Sequence, residues 1–126
     1  MMWAMRRILI IDDNQDVREL MRAVLEGAGY IVDVASDGDS GIEAQRRQPA
    51  DIVITDIFMP SRDGLETIEC LRAEYPDVKL LVVSGGGWMG RVSDYLSTAR
   101  DIGANAVLAK PFGADALLNA VRGLLQ

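Results

Sequence analysis

Four short apolar runs of the chain each end in a side chain that could take part in chemistry. Two of the runs bring three carboxylates, because Asp12 and Asp13 follow one run and Asp56 follows another. Carboxylates held that close repel one another at low dielectric, so such a cluster normally holds a divalent cation. The other two runs end in a hydroxyl group, that of Ser84, and an amine, that of Lys110. Together these groups predict a site for a divalent metal and an anion.

The elements that must position these residues alternate five times between apolar strands and segments of helical periodicity. The first, third and fourth predicted strands are apolar throughout, as strands covered on both faces should be, whereas the second alternates like an edge strand. This (βα)₅ pattern predicts a doubly wound α/β domain with a parallel sheet and helices on both faces. Ligands bind at the carboxyl ends of such strands, where the polar residues lie. The predicted strands cover 7–11, 31–35, 51–56, 79–84 and 105–109.

Helix signals separate these strands. Asn14 can cap a first helix that ends at Gly29, and the segment 38–48 has a weaker apolar stripe. A third helix is expected to open at Asp63 and to end before Pro76. The fourth and fifth predicted helices cover 92–102 and 117–125.

Composition indicates one domain over residues 1–126, with a core of its own. The 126 residues are 49% hydrophobic, and the apolar opening 1–5 is interpreted as a frayed or added start. A net charge of −6 disfavours direct binding to nucleic acid. Because no apolar stretch reaches the length of a membrane span, we expect a cytoplasmic protein with no membrane partner.

The chain has no histidine and a single cysteine, Cys70. The lack of histidine excludes Ser-His-Asp and Cys-His catalysis within this chain, so any phosphohistidine chemistry must use a histidine of another protein. A lone cysteine excludes an internal disulfide and favours a reducing compartment. Cys70 shares a predicted helix with Ile68 and Leu71, and we interpret it as a partly buried filler rather than a nucleophile.

Six short motifs follow one another in an order and spacing that resemble a response-regulator receiver domain of two-component signalling. None of them is specific alone, but together they extend over nearly the whole chain. The resemblance implies a CheY-like, flavodoxin-like fold with strand order 2-1-3-4-5. The motifs are Ile11-Asp12-Asp13-Asn14, Thr55-Asp56-Ile57-Phe58-Met59-Pro60, Asp63-Gly64, Val83-Ser84-Gly85, Gly103-Ala104 and Lys110-Pro111-Phe112.

The resemblance implies that Asp56 is the phosphorylation site of a signalling switch. Asp56 would receive a phosphoryl group from a histidine kinase or a histidine phosphotransfer protein. Lys110 would contact the phosphoryl oxygens, and a cis peptide bond to Pro111 would aim its amine into the pocket. Ser84 would donate a hydrogen bond to one of these oxygens. The chain would then be no enzyme beyond catalysing its own phosphoryl transfer and autodephosphorylation.

The same resemblance implies a Mg²⁺ cofactor. Asp13 and Asp56 would be direct ligands, Asp12 would act mainly through bound water, and the backbone carbonyl of Phe58 would complete the set. Without metal the three acids should repel one another. We therefore expect the Asp56→Asn variant to melt at a higher temperature than the parent when a chelator is present.

Two features depart from the usual family pattern. Val107 stands where the family commonly has an aromatic residue, three positions before Lys110, so the usual readout by an aromatic rotamer is in doubt. The segment 84–90 contains four glycines and Trp88. We interpret it as a switch loop that closes on the phosphate, and the alternative is a flexible connector in which Trp88 covers apolar surface.

Phosphorylation is expected to change the binding of a downstream protein that the sequence does not identify. The family's usual surface combines the fourth helix, the fifth strand and the fifth helix, and a homodimer is left open. Two alternative functions are disfavoured. A phosphorylation-independent adaptor usually lacks one of the acids or the lysine, and this chain keeps them all. An aspartyl phosphatase needs a second acid at the position of Phe58. The residues on the expected surface are Arg91, Asp94, Tyr95, Thr98, Val107 and Arg122.

Overall fold

The computed structural model describes residues 6–57, 64–84, 100–101 and 103–125, and its centre is a five-stranded parallel sheet. The strand order is β2-β1-β3-β4-β5, which confirms the predicted 2-1-3-4-5 arrangement and the edge position of the second strand. Each predicted strand agrees with the structure to within one residue. The strands are β1 (Arg7–Ile11), β2 (Ile31–Ala35), β3 (Ile52–Asp56), β4 (Lys79–Ser84) and β5 (Ala106–Ala109).

Four helices lie within the described ranges. The predicted fourth helix, 92–102, falls almost wholly outside them, so the last described helix is numbered α4 here. No helix within these ranges combines the length and the apolar character needed to cross a lipid bilayer. The helices are α1 (Gln15–Gly27), α2 (Gly38–Arg47), α3 (Gly64–Glu74) and α4 (Ala114–Leu125).

The first two helices begin at side-chain caps. Asn14 Oδ1 accepts the N–H of Val17 at 3.1 Å, as the sequence predicts. α1 ends at Gly27 and Ala28 is its C-cap, so Gly29, with its left-handed φ of 99°, terminates the helix as predicted. α2 has an unpredicted cap, since Asp37 Oδ1 accepts the N–H of Ser40 at 2.7 Å.

The buried Gln45 holds the end of α2, the least hydrophobic of the four described helices. Its side-chain amide donates to the carbonyl oxygen of Ala50 at 3.2 Å, and its side-chain oxygen accepts the N–H of Ala50 at 2.8 Å. This pair of hydrogen bonds fixes the turn into β3. α2 therefore gains a tertiary anchor that hydrophobic periodicity does not show.

The sheet separates two hydrophobic layers. On one face the side chains of Leu9, Val53 and Val82 pack with α2 and α3, and on the other Ile8 and Ile54 pack with α1 and α4. Because β1, β3 and β4 are covered on both faces, their apolar residues are almost fully buried. The polar side chains that follow these strands are thus left at the carboxyl edge of the sheet.

Candidate functional site

Three carboxylates meet where β1 and β3 end. The two strands pair in register, with Ile11 opposite Thr55, so the acids that follow them are neighbours. One oxygen each from Asp12, Asp13 and Asp56 lies within 4.8 Å of the others. The Asp12 and Asp56 carboxylates are buried, and Asp13 is exposed. Clustered carboxylate oxygens are the hard ligands that Mg²⁺ prefers, so the donor set fits that ion.

Both carboxylate oxygens and the backbone carbonyl of Asp12 accept hydrogen bonds. Its Oδ1 accepts the N–H of Asn14 at 2.9 Å and its Oδ2 accepts the ammonium of Lys110 at 3.0 Å. Its backbone carbonyl accepts a hydrogen bond from Arg18 Nη1 at 2.7 Å. With both side-chain oxygens engaged, Asp12 fits an indirect role toward a metal better than a direct one, which leaves Asp13 as the more accessible acid.

Arg18 belongs to the site and does not stand out in the sequence. It lies one helical turn after the capping residue Asn14, and its backbone N–H donates to the Asn14 carbonyl at 3.0 Å. That spacing returns its side chain to the strand end that precedes the helix. An arginine four residues after a cap was the available signal, but arginines at such positions are common on solvated helix faces.

Lys110 bridges the two buried carboxylates. Its Nζ lies 2.9 Å from Oδ2 of Asp56 and 3.0 Å from Oδ2 of Asp12. Partial burial by itself would lower the pKa of Lys110, but the hydrogen bonds and the attraction to Asp56 and Asp12 outweigh it and raise that pKa above its ordinary value. The bond to Pro111 is cis, as the resemblance implies.

The Lys110 ammonium changes the expectation for the metal-free cluster. From the sequence we expect the three acids to repel one another, with pairing to Lys110 as the alternative. In the structure one cation already offsets charge at Asp12 and Asp56, so repulsion should be concentrated at Asp13. The stabilising substitution is therefore expected at Asp13 rather than at Asp56.

Ser84 ends β4, between the strands that carry Asp56 and Lys110. The backbone N–H of Lys110 donates to the Ser84 carbonyl at 2.8 Å. Ser84 Oγ is buried and has no hydrogen-bond partner within the ranges that the structure describes. Because buried hydroxyl groups are normally paired, an unused one at this edge fits a donor for an anion that binds there.

Three other residues singled out in the sequence lie within the described ranges, and none of them belongs to the acidic cluster. Val107 lies half-buried in β5 and packs against the layer that includes α3. Cys70 is also half-buried, as predicted, with its Sγ 3.7 Å from Oε1 of Glu74. Arg122 is exposed on α4. The remaining singled-out positions lie outside the described residues, and these are Phe58, Trp88, Arg91, Asp94, Tyr95 and Thr98.

Comparison with known proteins gives the same family from sequence and from structure. The family model described as "Response regulator receiver domain" matches residues 8–122. The chain is 38% identical over 120 residues to "Response regulator MprA" of Mycobacterium leprae, an alignment that covers 95% of this chain and 51% of the relative. The chain thus spans about half the length of the MprA proteins that it matches.

Two solved structures of similar size share the fold. The chemotaxis response regulator CheY4 of Vibrio cholerae matches with a TM-score of 0.86 and 25% identity, over 96% of this chain and 99% of that one. A putative response regulator from Chloroflexus aurantiacus matches with a TM-score of 0.87 and 28% identity, over 97% and 98% of the two chains. The matched sequence, the strand order and the acidic edge agree, and the chain belongs to the response-regulator receiver domain family.

Proposed function

We propose that this receiver domain is a phosphorylation-dependent switch in which Asp56 accepts the phosphoryl group. The observation that carries the proposal is the position of Lys110, whose Nζ lies 2.9 Å from Oδ2 of Asp56 and 3.0 Å from Oδ2 of Asp12. A carboxylate nucleophile with an adjacent cation is suited to forming an acyl phosphate. The buried Ser84 hydroxyl, which has no hydrogen-bond partner among the described residues, adds a donor at the end of the neighbouring strand.

The phosphoryl donor would be a phosphohistidine outside this chain, which itself contains no histidine. Relatives that are response regulators imply a histidine kinase as that partner, and a histidine phosphotransfer protein offers the same chemistry. An Asp56 oxygen forms a bond to phosphorus while the phosphorus–nitrogen bond of the donor breaks. The electron pair of the broken bond stays on the donor's imidazole.

Lys110 and Ser84 stabilise the charge of the transferred group. Before transfer the Lys110 ammonium is shared between Asp56 and Asp12. After transfer one Asp56 oxygen is bonded to phosphorus in the mixed anhydride, and the ammonium contacts a phosphoryl oxygen as a compact point charge. Ser84 donates a hydrogen bond from its hydroxyl group to another phosphoryl oxygen. Loss of the phosphoryl group to water breaks the new oxygen–phosphorus bond and restores the Asp56 carboxylate.

Asp12, Asp13 and Asp56 would hold a Mg²⁺ ion, and the Phe58 carbonyl would add a further oxygen ligand. When bound, Mg²⁺ offsets the charge of the acids and of the transferred group. Asp13 would contribute an accessible carboxylate, whereas Asn14 and Lys110 keep Asp12 in place.

The output of the switch would be a change in binding to a downstream protein. The surface that we propose combines β5, α4 and the predicted fourth helix, 92–102. Val107 is half-buried in β5, and Arg122 is exposed on α4.

Incubation with acetyl phosphate and Mg²⁺ tests the proposal. The parent should gain the mass of one phosphoryl group, and neither the Asp56→Asn variant nor the parent in chelator should do so. Asp16→Asn is the matched control, because Asp16 is an exposed acid in the first turn of α1 and lies outside the three-acid cluster. Equal modification of Asp56→Asn and the parent would disprove the assignment of Asp56.

A further inference from the structure

Arg72, near the end of α3, connects two loops at the other end of the fold. Its Nη1 donates to the carbonyl oxygens of Pro76 at 2.7 Å and Val78 at 2.8 Å, in the loop before β4. Its Nη2 donates to the carbonyl oxygen of Gly103 at 2.8 Å and to Oδ1 of Asn105 at 2.7 Å, before β5. Arg72 is half-buried, and these acceptors are all neutral oxygens. The guanidinium therefore acts as a hydrogen-bonding hub between the two loops.

Asn105 passes this constraint to the start of β5. Oδ1 of Asn105, which accepts the hydrogen bond from Arg72 Nη2, also accepts the N–H of Leu80 at 2.8 Å. The backbone N–H of Asn105 donates to the Leu80 carbonyl at 2.8 Å. The next residue, Ala106, pairs with Leu81 as the first pair of the β4–β5 ladder. Arg72 thus holds the residue that fixes where β5 begins.

β5 needs such an anchor because it is a four-residue strand at the edge of the sheet. Short edge strands have one hydrogen-bonding neighbour and open more readily than central strands. At its far end the backbone N–H of Lys110 donates to Ser84, and the Lys110 ammonium then reaches Asp12 and Asp56. A shift at the start of β5 would therefore move the residue that carries the site's cation.

Gly103 is adapted to the same contact. Its φ of 130° is one that residues with a side chain rarely adopt. A Cβ atom at this position would lie 3.1 Å from both Cγ and Nε of Arg72. The absence of a side chain at Gly103 thus allows both the backbone turn and the close approach of the arginine.

We infer that Arg72 is a positioning residue for Lys110. It fixes the start of β5 through Gly103 and Asn105, and so keeps the Lys110 ammonium between Asp12 and Asp56 at the opposite edge of the sheet. The consequence for phosphoryl transfer rests on the proposed function, whereas the consequence for the position of Lys110 does not.

The side-chain ammonium signal of Lys110 in NMR spectra tests the structural half of the inference. In the parent, hydrogen bonds to the two carboxylates should slow exchange of the ammonium protons with water and make the signal observable. Arg72→Met keeps a long side chain without N–H donors, and should weaken this signal and speed amide exchange in β5. Arg46→Met is the matched control, because Arg46 is exposed on α2 and pairs with Glu74. If the two variants behave alike, the inference is wrong.

A double-mutant cycle with Lys110→Met tests the functional half. Arg72→Met should slow acyl-phosphate formation from acetyl phosphate by about fivefold or more in the parent, and by less than about 1.5-fold when Lys110 is already methionine. Equal slowing in both backgrounds would show a general structural effect and overturn the functional half.

Two further variants serve if Arg72→Met fails to fold. Arg72→Lys keeps the charge with fewer donors, and Gly103→Ala disturbs the contact from the other side, so both should weaken the Lys110 signal. A parent that takes no phosphoryl group would contradict the proposed function, while the ammonium signal would still decide whether Arg72 positions Lys110.

Discussion

The Nζ atom of Lys110 lies 2.9 Å from Oδ2 of Asp56, although 54 residues separate the two in the chain. The same ammonium lies 3.0 Å from Oδ2 of Asp12, so one cation serves two buried carboxylates. With Asp13 close by, the cluster keeps an excess of negative charge. That excess of negative charge favours binding of a divalent cation. Lys110 meanwhile offsets the energetic cost of burying the two acids in the folded protein.

Lys110→Met should destabilise the folded protein, because it leaves two buried carboxylates without their cation. Removing one partner of a buried ion pair costs about 3 to 5 kcal/mol, and the lower end is expected here because the lysine side chain is 20% exposed. Urea unfolding at neutral pH in chelator measures the change. Lys79→Met, at the exposed start of β4, is the control and should stay within about 0.5 kcal/mol of the parent. Equal losses would mean that the Lys110 pairs contribute nothing to stability.

The stability that Lys110 provides should disappear at alkaline pH. The pKa of Lys110 in the folded protein is raised above its ordinary value of 10.5. Its contribution is therefore complete below that pH and is lost as the pH rises through the folded-state pKa. The difference in unfolding free energy between the parent and Lys110→Met should be constant from about pH 8 to 10 and shrink above about pH 10.5. A difference that grows with alkaline pH would contradict the ion pairs.

Asp13→Asn should stabilise the protein when no metal is present. Asp13 is the exposed acid of the cluster, and Lys110 contacts its two neighbours instead. Removing its charge should raise the free energy of unfolding in chelator by about 0.5 to 1 kcal/mol, whereas Asp56→Asn should gain less because it also gives up a contact with Lys110. Saturating Mg²⁺ should stabilise the parent and reverse the order of parent and Asp13→Asn. A larger gain for Asp56→Asn would restore the simpler repulsion argument made from the sequence.

Ser84→Ala should separate stability from anion binding. Because the buried Oγ has no hydrogen-bond partner among the described residues, its removal should change the free energy of unfolding by less than about 1 kcal/mol, in either direction. The same variant should bind beryllofluoride with Mg²⁺ about tenfold more weakly, since one donor to the anion is lost. Thermal unfolding and a fluoride titration followed by ¹⁹F NMR measure the two effects. Unchanged affinity would remove Ser84 from the site.

The strands and the meeting of the acids were predictable from the sequence for a simple reason. Apolar runs of strand length mark a buried parallel sheet, and the carboxyl ends of its strands lie at one edge, so Asp12, Asp56 and Lys110 had to converge. The sharing of one ammonium between two acids was not predictable, because it depends on how far a flexible side chain reaches across the sheet edge. The same holds for the Arg72 hub, because most of its acceptors are backbone oxygens, which leave no residue-type signal.

Val107 stands where the family commonly has an aromatic residue. Val107 is β-branched, with restricted χ1 freedom, and packs half-buried against the layer that includes α3. Asn105 and Lys110 hold the two ends of its strand through hydrogen bonds to β4. We therefore expect beryllofluoride with Mg²⁺ to shift the amide resonances of 85–98 more than those of 105–109.

Heteronuclear NMR spectra with and without beryllofluoride measure this difference, and Val107→Ala is the informative variant. Because a ligand shifts a conformational equilibrium only by its differential affinity for the two states, an inert Val107 should leave the amide shifts in 85–98 unchanged on substitution. Two results would show that this small side chain transmits the signal: large shifts throughout β5 in the parent, or loss of the shifts in 85–98 in the Val107→Ala variant.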